Sequence, residues 1–351
     1  MVNKKIQFIL KRREDYNPFS HSKNGLSTGL YNSAFFMNEM MKDLNFQSQM
    51  DIAIDNNCID RLVTEYKPTH VIIEALWVTP SKFSILCKLH PKINWIIRLH
   101  SEMPFMANEG IAMDWLGEYI KFPQIKIGIN APRMLSEVKA FLNISNQSDV
   151  TNRIIYLPNF YPQEYWYYSP LDKEKEFIDI ACFGAIRPLK NHMVQAIAAI
   201  KYANKFNKKI RFHVNSERIE MNGNPVLNNL QGLFQHLADS NHQLIQHKWT
   251  CRDQFLDLCM KMDVGLQCNF SETFNIVSAD IISQGVPIVS SKEIPWASTW
   301  WNADPTDSDD IMNKINLALN FGRMNVFLNQ RKLYRYTNDT KKIWYDYFKG
   351  E

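Results

Sequence analysis

The 351-residue chain has no apolar run near the roughly 18 residues that a membrane-spanning helix requires, so no membrane span is expected. It has no CxxC pair, and its cysteines (Cys58, Cys87, Cys182, Cys251, Cys259 and Cys268) form no zinc-type cluster with histidine. Chain breakers are few: 12 Gly and 15 Pro exclude collagenous and low-complexity sequence. Charge is nearly balanced, 40 Lys+Arg against 36 Asp+Glu. The resulting +4 permits a polyanionic partner but names none. A secretion signal is missing too. MVNKKIQFIL puts basic residues before a short apolar run, but that run ends at Lys11-Arg12-Arg13-Glu14 with no small-residue cleavage site after it. It reads as a first strand. Unpatterned thiols without a leader point to a reducing cytoplasm, where the sequons at Asn143, Asn146, Asn269 and Asn338 carry no glycan. Walker A, GxSxG and HExxH motifs are absent.

What is present is globular: 45% hydrophobic and 22% charged residues, which excludes general disorder, at a length suited to two domains. Short β-rich runs at Ile6–Leu10, Val71–Ala75, Trp95–Leu99, Lys126–Ile129 and Ile154–Leu157 alternate with helix-like stretches such as Tyr31–Leu44 and Pro132–Leu142. This alternation predicts a parallel sheet covered on both faces. A proline-interrupted, aromatic stretch from Leu157 to Glu176 reads as a link, and the pattern then restarts. Strands are expected at Ile178–Phe183, Ile210–Asn215, Leu244–His247, Val264–Gln267 and Val286–Ser290. Helices are expected at His192–Asn204, Arg252–Lys261, Ile276–Gln284, Asp309–Gly322 and Gln330–Phe348. The expected fold is α/β, with two Rossmann-like domains, 1–165 and 166–330, facing each other across an interdomain cleft. A terminal helix, 331–351, would cross back to the first domain. Open α/β sheets bind ligands at the C-terminal ends of their strands, so the cleft is where the site is expected.

The most informative stretch is DVGLQCNFSETFNIVSADIISQGVPIVSS, Asp263–Ser291. A strand ends at Gln267, and a helix is expected to start near Thr273–Asn275 and end at Gly285. Glu272 lies beside that helix N-terminus, where the N–H groups of Thr273, Phe274 and Asn275 suit an anion. Asp280, about two turns on, can share a face with Glu272. The plainer alternative is that Ser271 caps the helix and Glu272 only favours its dipole. A second stretch, Phe183-Gly184-Ala185-Ile186-Arg187-Pro188-Leu189-Lys190-Asn191-His192, places two cations after a strand-end glycine turn. Cations are disfavoured at a helix N-terminus, so the pair calls for an anion, although a solvated helix start is the alternative. Asp307-Ser308-Asp309-Asp310 contains a D-x-D, but its place before a helix favours capping over metal binding.

These stretches resemble retaining GT-B glycosyltransferases that use nucleotide-sugars. Their donor signature, a Glu, seven residues and a second Glu before G-x-P-[IV]-V, stands here as Glu272-x7-Asp280 and Gly285-Val286-Pro287-Ile288-Val289, with Asp replacing the second Glu. The resemblance implies that Glu272 contacts the transferred sugar and Asp280 the nucleoside ribose. It also implies that Gly184, Arg187 and Lys190 serve the leaving diphosphate, with no cofactor or metal needed. Two further segments match in the first domain. Asn24–Asn32 resembles the family's glycine loop, with Gly29 at the diphosphate, and Arg98–Pro104 resembles its strand-end His segment, with His100 at the donor sugar. UDP is the expected nucleotide.

The acceptor is less constrained. The helix-like Tyr31–Leu44 carries a single lysine, Lys42, and makes no clear membrane-docking helix. Lys11, Arg12, Arg13, Lys23, Arg98 and Arg133 are candidates for polyanion contact, and the aromatics of Tyr161–Tyr168 for base stacking or for packing. The chain also resembles phage-encoded enzymes that glycosylate 5-hydroxymethylcytosine in DNA. DNA is therefore the leading acceptor expectation. A cell-surface or lipid-linked saccharide is the second, and a non-catalytic nucleotide or sugar binder the third. The sequence does not set the oligomeric state.

Overall fold

The computed structural model describes residues 4–12, 29–144, 148–163, 166–168 and 175–350. Asn24–Thr28 of the expected glycine loop, Arg13 and Lys23 lie outside them. The chain forms two compact units. Among the described residues, the first holds everything up to Pro162 together with Tyr336–Gly350, and the second runs from Gln163 to Arg335.

The first unit contains a six-stranded sheet: β1 (Lys5–Lys11), β2 (Gln47–Ala53), β3 (His70–Glu74), β4 (Asn94–Leu99), β5 (Ile125–Ile129) and β6 (Ile154–Tyr156), in the order β2-β1-β3-β4-β5-β6. Every pairing is parallel. Its helices are α1 (Gly29–Asp43), α2 (Cys58–Tyr66), α3 (Pro80–Leu89), the short α4 (Met103–Met106), α5 (Ala112–Tyr119) and α6 (Pro132–Ile144). Strands such as HVIIE of β3 are buried at every position, as a parallel sheet sandwiched by helices demands. The edge strand β2, QSQMDIA, escapes the sequence pattern because only Ala53 is buried and most of its positions are polar. A part-buried polar contact secures it: buried Gln7 on β1 donates from Nε2 to Asp51 Oδ2 at 2.7 Å.

The second unit has five parallel strands, β7 (Phe177–Ala181), β8 (Lys209–Asn215), β9 (Gln243–His247), β10 (Val264–Gln267) and β11 (Ile288–Ser290), in the order β11-β10-β7-β8-β9. Its helices are α7 (His192–Lys205), α8 (Gly223–Gly232), α9 (Arg252–Met260), α10 (Ile276–Ser283), α11 (Ser308–Asn320) and the first part of α12 (Gly322–Gly350). This is the Rossmann strand order, whereas the first unit has the flavodoxin-type order. Gly265 lets α10 lie close on β10, since a Cβ there would meet Ile281 Cδ1 at 2.8 Å.

The C-terminal helix differs from expectation. It is one helix of 29 residues that starts at Gly322, eight residues before the predicted Gln330. Buried asparagines explain the early start. Asn325 accepts from Ile288 N at 3.0 Å and donates to Ile288 O at 2.8 Å, and Asn329 accepts from Ser298 N at 2.8 Å. The helix thus satisfies the outer edge of β11. From Tyr336 onward α12 belongs to the first unit. There Thr340 Oγ1 donates to Asn159 O at 3.2 Å and Trp344 Nε1 to Pro158 O at 2.9 Å, which fixes the buried segment after β6. Asp307 caps α11, accepting from Asp309 N at 2.8 Å and Asp310 N at 3.2 Å, so the D-x-D is a helix start. No helix among the described residues is long and apolar enough to cross a membrane.

Asn325→Leu keeps the branched shape but strips both partners from buried Ile288. The expected cost is about 2–4 kcal/mol in urea unfolding. A loss under about 0.5 kcal/mol, the scatter of neutral surface changes, would show that this clamp is dispensable.

Candidate functional site

In the second unit β7 stands at the point where the strand order reverses: β8 follows on one side and β10 lies on the other. Loops after the carboxyl ends of these two strands therefore flank a natural crevice. The loop after β7 contains Gly184, at φ +119, a conformation that side chains rarely adopt. Its N–H donates to Asn215 Oδ1 at 2.9 Å. A Cβ built on Gly184 would lie 3.8 Å from Lys190 Cε and 3.9 Å from Val277 on α10, so this turn sits directly on the lysine and on the first turn of that helix.

Lys190 and Glu272 form an ion pair between Nζ and Oε1, with both side chains about nine-tenths buried. Burial pulls the lysine pKa down, and the Glu272 carboxylate counters it without restoring the ordinary value. Amides hold the pair from both sides. Asn269 Nδ2 donates to Glu272 Oε1 at 3.0 Å, and Gln195 Nε2 donates to the backbone oxygen of Lys190 at 2.8 Å. Asn191, in the left-handed region at φ 57, donates to Cys268 O at 2.9 Å and Pro305 O at 2.6 Å. Gln267 receives Asn275 Nδ2 at 2.9 Å and donates to Phe183 O at 2.9 Å. The strand ends of β7 and β10 are thus cross-linked through buried amides, and the ion pair is fixed by them.

The helix after Glu272 starts where the expected Ile276–Gln284 helix does, one residue past the Thr273–Asn275 region given for its N-terminus. α10 begins at Ile276, and its cap is Asn275, whose Oδ1 accepts from Ser278 N at 2.8 Å, instead of Ser271. Thr273, Phe274 and Asn275 therefore precede the helix, and its first-turn N–H groups belong to Ile276, Val277 and Ser278. The cause is Asn275 itself. At φ 58 it cannot continue a helix backward, and its amide is engaged at both ends. Phe274 is held by its carbonyl, which accepts from Trp296 Nε1 at 2.7 Å. Asp280 is buried on α10, its Oδ1 2.5 Å from Arg252 Nη1. Sequence reasoning missed Arg252, because α9 contributes it from 28 residues away.

Arg187 is largely buried and pairs with Glu220, Nη1 to Oε2 at 3.4 Å. Beside these cations lies His192, the first residue of α7 and fully buried. Neither ring nitrogen has a hydrogen-bond partner among the described residues. Burial, and then the charges of Lys190 and Arg187, push its pKa down to about 3. The sequence signal for it was only its place two residues after Lys190.

His100 and Gly29 belong to the first unit. Gly29 opens α1 and is exposed. His100 Nε2 hydrogen-bonds Glu74 Oε2, and Arg98 Nη1 lies 3.2 Å from both Glu74 oxygens. Burial raises the Glu74 pKa, but Arg98 and His100 outweigh it and the net shift is downward. Glu74 was missed because a lone acid at a strand end carries no motif. Arg98 departs from expectation. It is fully buried, bonded to Leu157 O at 3.1 Å and to Asn159, so it serves no polyanion. Arg133 is paired with buried Glu102. Tyr161 is core, packed on Phe36 at 5.6 Å, whereas Trp166 and Tyr167 are exposed.

No protein-family model matches the chain, and no curated protein matches its sequence. Solved structures do match. A UDP-forming α,α-trehalose-phosphate synthase from Burkholderia xenovorans is 10% identical, with 99% of this chain and 98% of that chain covered at a TM-score of 0.64. Sucrose-phosphate synthase from Thermosynechococcus elongatus is 10% identical, with coverage of 99% and 100% at 0.65. HepE from Anabaena, solved in complex with UDP-glucose, is 9% identical, with coverage of 96% and 98% at 0.62. The chain has the GT-B fold.

Because the folded pKa of His192 is depressed, the unfolded chain binds a proton that the native one refuses. Its contribution is complete above about pH 6.5 and is lost as pH falls toward 3. His192→Gln should reduce the slope of stability against pH in that window by up to about 1.4 kcal/mol per pH unit. Urea midpoints measured at several pH values check this, and identical slopes would contradict it.

Proposed function

We propose that the chain is a retaining glycosyltransferase that moves a sugar from a nucleoside diphosphate, UDP first, to an acceptor hydroxyl. The buried Lys190–Glu272 pair against the Gly184 turn carries this reading. A buried ion pair is a poor stabiliser, and a ligand that exchanges with its partners gives it a use. Lys190 and Arg187 take the diphosphate, and the Gly184 backbone and the first turn of α10 approach it. Released from Lys190, Glu272 accepts hydrogen bonds from sugar hydroxyls. Asp280, steadied by Arg252, takes the ribose. For His100 and Gly29, a donor role rests on the family resemblance alone. Retention follows if the leaving phosphate oxygen takes the acceptor proton on the same face. The protein then contributes positioning and charge stabilisation, and no protein nucleophile or metal is required.

The acceptor is assigned to 5-hydroxymethylcytosine in DNA on the phage-enzyme resemblance. A donor screen against hydroxymethylated and plain DNA, read by nucleoside mass, tests it. Mass gain on hydroxymethylated DNA alone is expected. Transfer only to a saccharide primer would move the acceptor to cell-surface chemistry, and no donor turnover of any kind would leave a binding protein.

Lys190→Ala should lower kcat by about 10²–10³-fold, but it also strands a buried carboxylate. In the double variant Lys190→Ala/Glu272→Gln, thermal stability should recover and turnover should not. Recovery of both would make Lys190 a structural residue.

A further inference from the structure

Arg323, Phe327, Arg331 and Arg335 follow one another on α12 at spacings of four, with Tyr334 three residues after Arg331, which puts all five on one side of the helix. Phe327 is 51% exposed and Tyr334 44%. Trp166, also 51% exposed, joins them, with ring centroids 6.2 Å from Phe327 and 5.9 Å from Tyr334. The segment is tied to the helix, since Gln330 Nε2 donates to Tyr167 O at 2.7 Å. Arg323, Arg331, Lys332 and Arg335 are exposed and form no ion pair among the described residues. No acidic residue occurs between Asp310 and Asp339. All of these groups belong to the second unit.

We propose that this face of α12, with Trp166, is a binding track for DNA. Guanidinium groups meet backbone phosphates bidentately, and half-exposed rings offer faces to unpaired bases. From Arg323 to Arg335 the helix rises about 18 Å, or about five base steps at 3.4 Å. A membrane surface fits less well. An interfacial helix separates its cations from an apolar face, but here cations and rings alternate along one stripe, while Val326 and Leu333 are turned into the protein. The track gives the DNA-acceptor reading a surface to work from, although its chemistry stands on α12 alone.

Fluorescence anisotropy with labelled single-stranded and duplex oligonucleotides, from about 50 to 200 mM salt, tests the proposal. The protein should bind both, and the single strand more tightly. R331E/R335E should weaken binding at least about tenfold and flatten the salt dependence by one to two units of log–log slope, about one for each phosphate no longer neutralised. W166A/F327A should weaken single-strand binding more than duplex binding. Wild-type affinity in R331E/R335E, or binding to phosphatidylserine vesicles without binding to DNA, would overturn the track. Donor hydrolysis should be unchanged in R331E/R335E. If the wild type turns over no nucleotide-sugar yet binds DNA through these residues, the proposed catalysis falls and the track stands.

Discussion

The second unit is organised around one costly requirement, a charged lysine kept almost entirely out of water. Lys190 is held there by Glu272, and Glu272 by Asn269. Neither carboxylate nor ammonium would survive in that position without the other, because the desolvation of each exceeds what hydrogen bonds alone return. Asn191 and Gln195 bond the backbone of Cys268, Gln267 donates to Phe183 O, and Asn275 donates to the Gln267 side chain, so the ion pair inherits the rigidity of the β7–β10 junction. Replacing a buried pair with apolar side chains of similar volume is often neutral or stabilising, so folding alone gives these charges little reason to be there.

Asparagine does a large share of this work. Asn191 and Asn275 take left-handed backbone conformations that few side chains tolerate, and their amides then bond the neighbouring loops. Asn325 and Asn329 perform a related task on α12, trading modest helix propensity for buried bonds to β11 and to the segment at Ser298. The fold and the site are therefore built from the same residue type.

Most of the architecture was legible because parallel strands buried on two faces read as continuous β-branched runs. β2 was not, since an edge strand with polar positions lacks that pattern. The start of α12 was obscured by asparagines, which resemble a loop until their partners are seen. In the site, Gly184, Lys190 and Glu272 were legible from local spacing, and the structure brings them together. Arg252 beside Asp280 and Glu74 between Arg98 and His100 were not legible, because each pairing joins separate elements. Net charge was equally silent: the value +4 hides a stripe of arginines on α12 and a buried Arg98 that contributes nothing to the surface.

The proposed chemistry turns on the Lys190–Glu272 cradle being a nucleoside-diphosphate site. Calorimetric titration of UDP into the wild type and into Lys190→Ala/Glu272→Gln, near neutral pH, is the sharpest measurement of this. Saturable binding to the wild type is expected, with at least a tenfold loss in the variant at similar thermal stability. Equal affinity for both proteins, or no binding of UDP, GDP or ADP to the wild type, would contradict it.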